Sequence, residues 1–159
     1  MMRIVVVSDT HGYIDSFIDK INLIDKPDII IHLGDYVRDA ERISKKLGIK
    51  TIIVKGNGDI GSNYNEDELI SIKGNKIFLT HGHKHNVNEG IDNLYYKGLE
   101  LGANIILFGH THIPIVIIDK DIIIMNPGSP TNPRANKRIP TFGLIDIGDI
   151  ITNQIIQIN

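Results

Sequence analysis

Acidic, amide and histidine side chains recur in five short clusters, most of which directly follow a run of branched apolar residues. In chain order the clusters are Asp9-Thr10-His11, Gly34-Asp35, Gly56-Asn57, His81-Gly82-His83 and Gly109-His110-Thr111-His112. Carboxylate and amide oxygens together with imidazole nitrogens suit Mn, Fe, Co, Ni or Zn, whereas Ca prefers oxygen ligands only. The chain has no cysteine, so any metal must be held by nitrogen and oxygen atoms. The clusters therefore predict a transition-metal site.

The number of ligands indicates how many ions the site holds. The candidate metal ligands are Asp9, His11, Asp35, Asn57, His81, His110 and His112. These are too many for one catalytic ion, which must keep open coordination positions. Two ions that share a carboxylate would use them, and Asp35 is the expected bridge because it is the lone carboxylate of its cluster. Two ions about 3.5 to 4 Å apart clamp the attacking and leaving oxygens at phosphorus, and a shared water becomes a hydroxide nucleophile near neutral pH.

Buried strands are expected to position these clusters. Nearly continuous apolar runs predict strands at residues 3–7, 28–33, 50–54 and 104–108. Apolar residues at helical spacing between them, at 14–24 and 37–47, predict helices and therefore a parallel βαβ core. Ligands of such sheets bind at the carboxyl ends of the strands, where the clusters lie. His32, inside the second run, is expected to be a hydrogen-bonded core residue.

The second half of the chain has a different pattern. Lys73-Gly74-Asn75 predicts a tight hairpin between strands at 69–72 and 76–79. A helix is expected at 88–101, followed by mostly antiparallel strands at 115–118, 122–125, 141–147 and 150–157. Asn126-Pro127-Gly128-Ser129-Pro130 predicts a rigid turn after a strand. These elements fit an α/β fold of two sheets packed face to face with helices outside.

Composition limits the class of protein. A chain of 159 residues with 42% hydrophobic content fits one domain spanning 1–159. The net charge of -2 and the dispersed basic residues predict no binding to duplex nucleic acid. The first apolar run is too short for a signal peptide, and no stretch reaches the roughly 20 apolar residues of a membrane span. We therefore expect a cytoplasmic protein without membrane contact, whose edge strands could pair in a homo-oligomer.

The ordered clusters resemble those of the calcineurin-like metallophosphoesterase superfamily, and the length resembles its small single-domain phosphodiesterase branch. The resemblance covers nearly the whole chain and implies a four-layer α/β/β/α sandwich of two mixed sheets with flanking helices. It also implies two divalent metal ions, with Mn or Ni as first candidates and Fe, Co or Zn as alternatives. By position, one metal would be held by Asp9, His11, Asp35 and His112, and the other by Asp35, Asn57, His81 and His110.

One motif departs from the family pattern. The usual block is Gly-Asn-His followed by Asp or Glu, and its histidine contacts phosphate and protonates the leaving oxygen. Here the block is Gly56-Asn57-Gly58-Asp59, so Gly58 and Asp59 become candidate substrate-binding residues and Asn57 a candidate to position the phosphate. General acid help contributes ~10² to 10⁴ in rate, so esters with good leaving groups should be favoured. His83 is the candidate for a partial replacement, against the alternative of a solvated loop histidine.

The resemblance thus implies hydrolysis of small phosphodiesters. One alternative is a non-catalytic scaffold for protein interactions, as in the retromer subunit that resembles this family. Such proteins typically lose or alter several ligands, whereas every ligand position is filled here. Another is a nuclease acting on oligonucleotides, although this chain lacks the extra domain and basic surface that DNA-processing relatives use.

Overall fold

The fold is built on two five-stranded sheets. The computed structural model describes residues 1–159. The elements are β1 (Met2–Val7), α1 (Asp15–Ile21), β2 (Ile29–His32), α2 (Val37–Leu47), β3 (Lys50–Ile53), β4 (Asp67–Ile72), β5 (Asn75–Thr80), a 3₁₀ helix (His83–His85), α3 (Asp92–Glu100), β6 (Ile105–Leu107), β7 (Ile115–Asp119), β8 (Ile122–Asn126), β9 (Thr141–Ile147) and β10 (Ile151–Gln157). The first sheet has the order β10-β9-β1-β2-β3, and the second has the order β4-β5-β6-β8-β7.

Strand β1 illustrates why the apolar runs are unbroken. Ile4 and Val6 face the core between the sheets, while Val5 and Val7 face the core beneath the helices. Both faces of the strand are therefore covered, as expected for a parallel strand flanked by crossovers. β1 pairs with β2 and β2 pairs with β3 in parallel register.

Three hydrophobic cores separate four layers. The largest lies between the sheets and combines residues such as Ile31 and Leu33 with Leu79 and Leu107. α1 and α2 cover the outer face of the first sheet, and α3 covers the outer face of the second. The predicted four-layer α/β/β/α sandwich is confirmed. None of the helices is long and apolar enough to cross a membrane.

The structure refines the predicted elements of the second half. The hairpin is confirmed, with Lys73 and Gly74 both at positive φ between β4 and β5. The helix predicted at 88–101 begins only at Asp92, because the chain passes Gly90 at φ 145°, outside the helical region. The later strands divide between the sheets: β9 and β10 extend the first, while β7 and β8 extend the second. Their pairings are antiparallel except for β8 with β6.

Candidate metal centre

The polar clusters meet where four strands end. Asp9 follows β1, Asp35 follows β2, His81 follows β5, and His110 follows β6. Backbone hydrogen bonds join these loops within each sheet, from Asp9 N to Gly34 O at 3.0 Å and from Gly109 N to His81 O at 3.0 Å. The sheets are joined by the His110 amide, which donates to Asp9 Oδ2 at 3.0 Å. The fold therefore brings segments 101 residues apart into direct contact.

Six of the seven predicted ligands come together. Asp9, His11 and His112 form one group, and Asp9, Asp35 and His81 form a second; within each group the ligand atoms all lie within 4.8 Å of one another. His110 joins the second group, because its Nδ1 is 3.3 Å from Nε2 of His81. Asp9 belongs to both groups, whereas the sequence singles out Asp35 as the bridge. The bridging role of Asp35 stays a prediction.

Backbone carbonyls orient two of the histidines. Nδ1 of His81 donates to Leu33 O at 2.7 Å, and Nδ1 of His112 donates to Asn132 O at 2.7 Å. A carbonyl only accepts, so the proton sits on Nδ1 and the Nε2 lone pair faces the carboxylates. Nε2 of His81 is 3.5 Å from an oxygen of Asp35. Such an outer contact is the usual support of a metal-binding histidine.

Asp9 provides the test of whether a cation fits. Its side chain is fully buried, and Oδ2 accepts hydrogen bonds from Ser8 Oγ at 2.6 Å and from the His110 amide. Oδ1 is also buried but accepts no hydrogen bond, although His112 Nε2 is 3.2 Å away. Burial alone would raise the pKa of Asp9, but the His112 contact and the charge of His81 lower it overall. A buried ionised oxygen without a donor, surrounded by imidazoles, fits a divalent cation.

The histidines of the centre have opposing pKa shifts. Burial lowers the pKa of His11 and that of His110, which favours the neutral imidazole that binds metal. Burial has the same tendency at His112, but the contact with Asp9 outweighs it and raises the pKa of that ring. The charges of both Asp9 and Asp35 act on His11 and on His110. Both carboxylates therefore lie within electrostatic reach of histidines from either group.

The backbone of the centre is strained. Positive φ angles occur at five of the predicted ligands: Asp9 (58°), His11 (48°), Asp35 (56°), His110 (69°) and His112 (58°). Each residue in this region costs on the order of 1 to 3 kcal/mol, and Asp and His tolerate it better than branched residues. Such conformations cluster where side chains must converge on a ligand. The strain is a second, independent mark of a functional site.

His32 is a buried side chain that contacts the backbone loops of the centre through hydrogen bonds. It is fully buried, with Nε2 3.1 Å from Thr10 Oγ1, and Nδ1 accepts a hydrogen bond from the Gly34 amide at 3.2 Å. Burial lowers the pKa of His32 to about 4, so the ring is neutral at neutral pH. The prediction of a hydrogen-bonded core histidine is confirmed, and the ring ties the Asp9 loop to the Asp35 loop.

Asn57 and Gly58 lie on the loop next to Asp35. The Gly58 amide donates to Asp35 Oδ1 at 2.9 Å, so this loop contacts the centre directly. The side chain of Asn57 is exposed and makes no hydrogen bond within the protein. Asn57 is thus the one predicted ligand that the structure does not draw into the cluster. Its roles as metal ligand and phosphate-positioning residue stay predictions, as does substrate binding at Gly58.

Asp59 is buried and fully engaged with the backbone. Its Oδ1 accepts from the amides of Tyr36 at 2.8 Å and Val37 at 3.0 Å, and its Oδ2 accepts from the Gly56 amide at 2.8 Å. The carboxylate therefore caps the first turn of α2 and fixes the 56–59 loop. Contact between Asp59 and substrate stays a prediction, and the geometry favours a positioning role.

His83 borders the centre from the 3₁₀ helix. Its ring centroid is 5.5 Å from that of His81 and 6.1 Å from that of His110. Its Nδ1 is buried without a hydrogen-bond partner, and burial lowers the pKa of the ring. His85, by contrast, lies 3.0 Å from Asp67 on the surface. Of these two histidines, His83 has the position that a group contacting phosphate would need.

The turn at 126–130 supports two loops of the centre through buried hydrogen bonds. Ser129 Oγ donates to the carbonyl of Asp9 at 2.8 Å, and Asn126 Nδ2 donates to the carbonyl of Gly109 at 2.8 Å. Both side chains are fully buried. The two prolines and the glycine of this turn were the sequence signal for its rigidity, but its partners could only be found in the structure.

Asn88 is a supporting residue that the sequence did not reveal. Its side-chain amide lies 3.0 Å from Nε2 of His110, whose Nδ1 faces His81. In this arrangement Asn88 Nδ2 donates to Nε2 of His110. When Nδ1 binds a metal, Nε2 carries the proton, and the Asn88 amide turns over so that its oxygen accepts. Asn88 follows the 3₁₀ helix in a segment without periodicity, so no local pattern marks it.

We expect Asn88→Ala to weaken metal binding about 10- to 100-fold, because the His110 ring loses its orientation. Isothermal titration with Mn or Ni checks this in the absence of substrate. Asn88→Asp should retain binding, since a carboxylate accepts the same proton. Asn93→Ala, an exposed asparagine on α3, is the matched control. Equal affinities for Asn88→Ala and the control would contradict the assignment.

Comparisons with known proteins agree with this geometry. The family model described as the calcineurin-like phosphoesterase superfamily domain matches residues 2–149. A probable metallophosphoesterase of Bacillus subtilis is 31% identical over 92% of this chain and 85% of its own length. A phosphodiesterase of Methanocaldococcus jannaschii is 26% identical over 91% of this chain and 93% of its own.

Solved structures share the fold. A predicted phosphoesterase of Streptococcus pneumoniae superposes with a TM-score of 0.82 at 30% identity, covering 98% of this chain and 89% of that one. Vps29 of Entamoeba histolytica complexed with zinc superposes with a TM-score of 0.81 at 24% identity, covering 99% and 100%. The second likeness carries information on the fold alone.

Proposed function

Because the chain belongs to the calcineurin-like phosphoesterase superfamily, we propose that it is a metal-dependent phosphodiesterase acting on small diesters. The observation that carries this proposal is the buried Asp9 Oδ1, which has no hydrogen-bond donor and lies among convergent imidazoles. Without a cation, only the neighbouring imidazoles of His112 and His81 would offset the charge of this buried carboxylate. The likeness to a relative named as a phosphodiesterase supports the diester class.

The proposed ligand set divides between two ions. Asp9, His11 and His112 would hold one with Asp35, and His81, His110 and Asn57 would hold the other with Asp35. Two such ions supply positive charge to the equatorial oxygens of phosphorus and lower the pKa of water to near neutrality. Mn and Ni are the proposed metals, with Fe, Co and Zn as alternatives.

The protein's own residues would orient the ester. The ring of His83 lies beside His81 and His110, and the exposed amide of Asn57 is available to a phosphoryl oxygen. Gly58 leaves the usual position of a proton donor without a side chain. Diesters with acidic leaving groups need little protonation as the bond breaks, so they should be the preferred substrates.

A screen with metal-reconstituted protein tests this function. We expect protein stripped of metal and resupplied with Mn or Ni to hydrolyse bis(p-nitrophenyl) phosphate faster than p-nitrophenyl phosphate. Activity should fall steeply as the leaving alcohol becomes less acidic. Absence of diester hydrolysis with any of the five metals would refute the proposal. A strong preference for monoesters would contradict the role given to Gly58.

The scaffold alternative has one supporting observation, the likeness in fold to Vps29 over nearly the whole chain. The same screen distinguishes the two functions, since a scaffold would bind metal without turnover. The nuclease alternative predicts cleavage of single-stranded oligonucleotides under the same conditions. The net charge of -2 argues against a large nucleic-acid surface.

A further inference from the structure

An open cavity adjoins the metal centre and has no role in the chemistry described so far. Its volume is about 910 Å³, within the usual range for small-molecule sites. His11 and Asp35 lie on its wall, so the cavity and the metal cluster are continuous. A group esterified to a phosphate in the centre could therefore extend into this space.

Aromatic and apolar side chains line the cavity although water reaches them. Ile60 is 94% exposed and Tyr36 is 47% exposed, and Tyr64 completes this wall. Single exposed apolar residues are common, but several on one cavity wall beside a polar centre indicate a ligand surface. The wall forms because the 56–59 loop turns back across the start of α2.

Tyr36 is fixed before any ligand arrives. Its backbone has a positive φ of 70°, and its amide donates to the buried Asp59. Its ring lies against His11 with centroids 5.0 Å apart and planes at 58°. The Tyr64 hydroxyl donates to Glu41 at 2.9 Å, which orients the second ring. Two rigid aromatic side chains offer stacking surface at little entropic cost.

Polar groups border the same space. Arg38, Glu41, Ser62 and Asn63 line the cavity around the aromatic wall. A cavity that combines two tyrosine rings with hydrogen-bonding groups matches a planar ring that carries donors and acceptors on its rim. The alkyl group of an aliphatic diester would neither stack on the tyrosine rings nor pair with the hydrogen-bonding groups.

We propose that this cavity is a subsite for a planar aromatic group on the non-leaving side of the diester, and that this group is a nucleobase in the natural substrate. The inference rests on the proposed phosphodiesterase function and adds the substrate class. Tyr36 and Ile60 are its specificity-determining residues, and the metal ligands are untouched by the assignment.

Three diesters with one leaving group test the subsite. Methyl p-nitrophenyl phosphate, bis(p-nitrophenyl) phosphate and thymidine 5′-(p-nitrophenyl phosphate) all release p-nitrophenol, so only the retained group differs. Tyr36→Ala should lower kcat/KM for the two aromatic diesters about tenfold, through KM, and change the methyl ester by less than about threefold. Ile60→Ser should act in the same direction with a smaller effect. A larger loss for the thymidine ester than for the aryl ester would identify the nucleobase as the better occupant.

Matched controls separate the subsite from general damage. Tyr96→Ala and Ile150→Ser replace residues that are 66% and 75% exposed and do not line the cavity. Equal losses on all three esters, or no loss for either cavity variant, would overturn the proposal. Binding of thymidine 5′-monophosphate to the zinc-loaded protein, followed by NMR, gives a readout without diester turnover. If the wild type hydrolyses none of the diesters, the function fails, while shifts confined to the cavity residues would still support the subsite.

Discussion

Replacing Asp35 by Asn should lower diester hydrolysis by about three orders of magnitude, since a lost metal site removes on the order of 4 kcal/mol of transition-state stabilisation. The substitution keeps an oxygen that can accept from the Gly58 amide, so the loop should remain in place. The variant loses the negative charge of Asp35, which acts on His11 and His110. Metal analysis after dialysis should find at least one ion fewer per chain. Retention of both ions with unchanged kcat would contradict the placement of Asp35 in the centre.

Unlike the activity, the thermal stability of the metal-free protein should not fall when Asp35 is replaced by Asn. Oxygens of Asp9 and Asp35 lie within 4.8 Å of each other, and without metal their charges repel in a buried setting. Metal-free Asp35→Asn should therefore unfold at the same temperature as the wild type or higher. Saturating metal should raise the wild-type Tm by more than that of the variant, because the wild type binds at least one ion more and binding at 100 times Kd adds about 2.7 kcal/mol. Asp121→Asn, in the exposed β7–β8 turn, is the control and should behave as wild type in both assays.

Much of the fold follows from local sequence pattern. Runs of branched residues such as Arg3 to Val7 and Lys50 to Val54 became strands within one or two residues of their predicted ends. The first prediction succeeds because a strand buried on both faces, such as β1, needs apolar side chains at successive positions. By contrast, β3 is an edge strand and only its last residue is buried. The convergence of six candidate ligands follows in turn, since strand ends of packed sheets share one edge.

Other features depend on contacts that no local pattern records. The pairing of Asn88 with His110 and of Ser129 with the Asp9 carbonyl joins segments far apart in the chain. The membership of Asp9 in both ligand groups depends on how the two sheets are offset. The aromatic cavity also escaped prediction, because Tyr36 and Ile60 stand 24 residues apart and neither lies in a periodic element. Sequence thus indicated the candidate ligands, and tertiary packing determined their neighbours.

Gly109→Ala should weaken metal binding and diester hydrolysis without altering any ligand. A Cβ at this position would lie 2.9 Å from Asp9 Oδ2 and 2.9 Å from Ser8 Cβ, closer than real contacts allow. Ser8 Cβ is attached to the buried backbone directly after β1, so rotation of a side chain does not relieve the clash. The backbone of one loop must shift, and the Asp9 carboxylate shifts with it. Overpacking of this kind costs about 1 to 3 kcal/mol, and a displacement near 1 Å at a reacting centre costs on the order of 10²-fold in rate.

A double-variant cycle distinguishes this steric mechanism from a general loss of stability. Ser8→Gly removes the hydroxyl and the Cβ that the new methyl group meets, so Ser8→Gly/Gly109→Ala should bind Mn more tightly than Gly109→Ala alone. Gly148→Ala is the matched control, because its added Cβ has only ordinary contacts and lies in the β9–β10 turn. Thermal unfolding and metal titration are measured for five proteins: the wild type, Ser8→Gly, Gly109→Ala, the double variant and Gly148→Ala. If the double variant binds metal no better than Gly109→Ala, contact with Ser8 is not the cause, because a simple destabilisation would add rather than cancel.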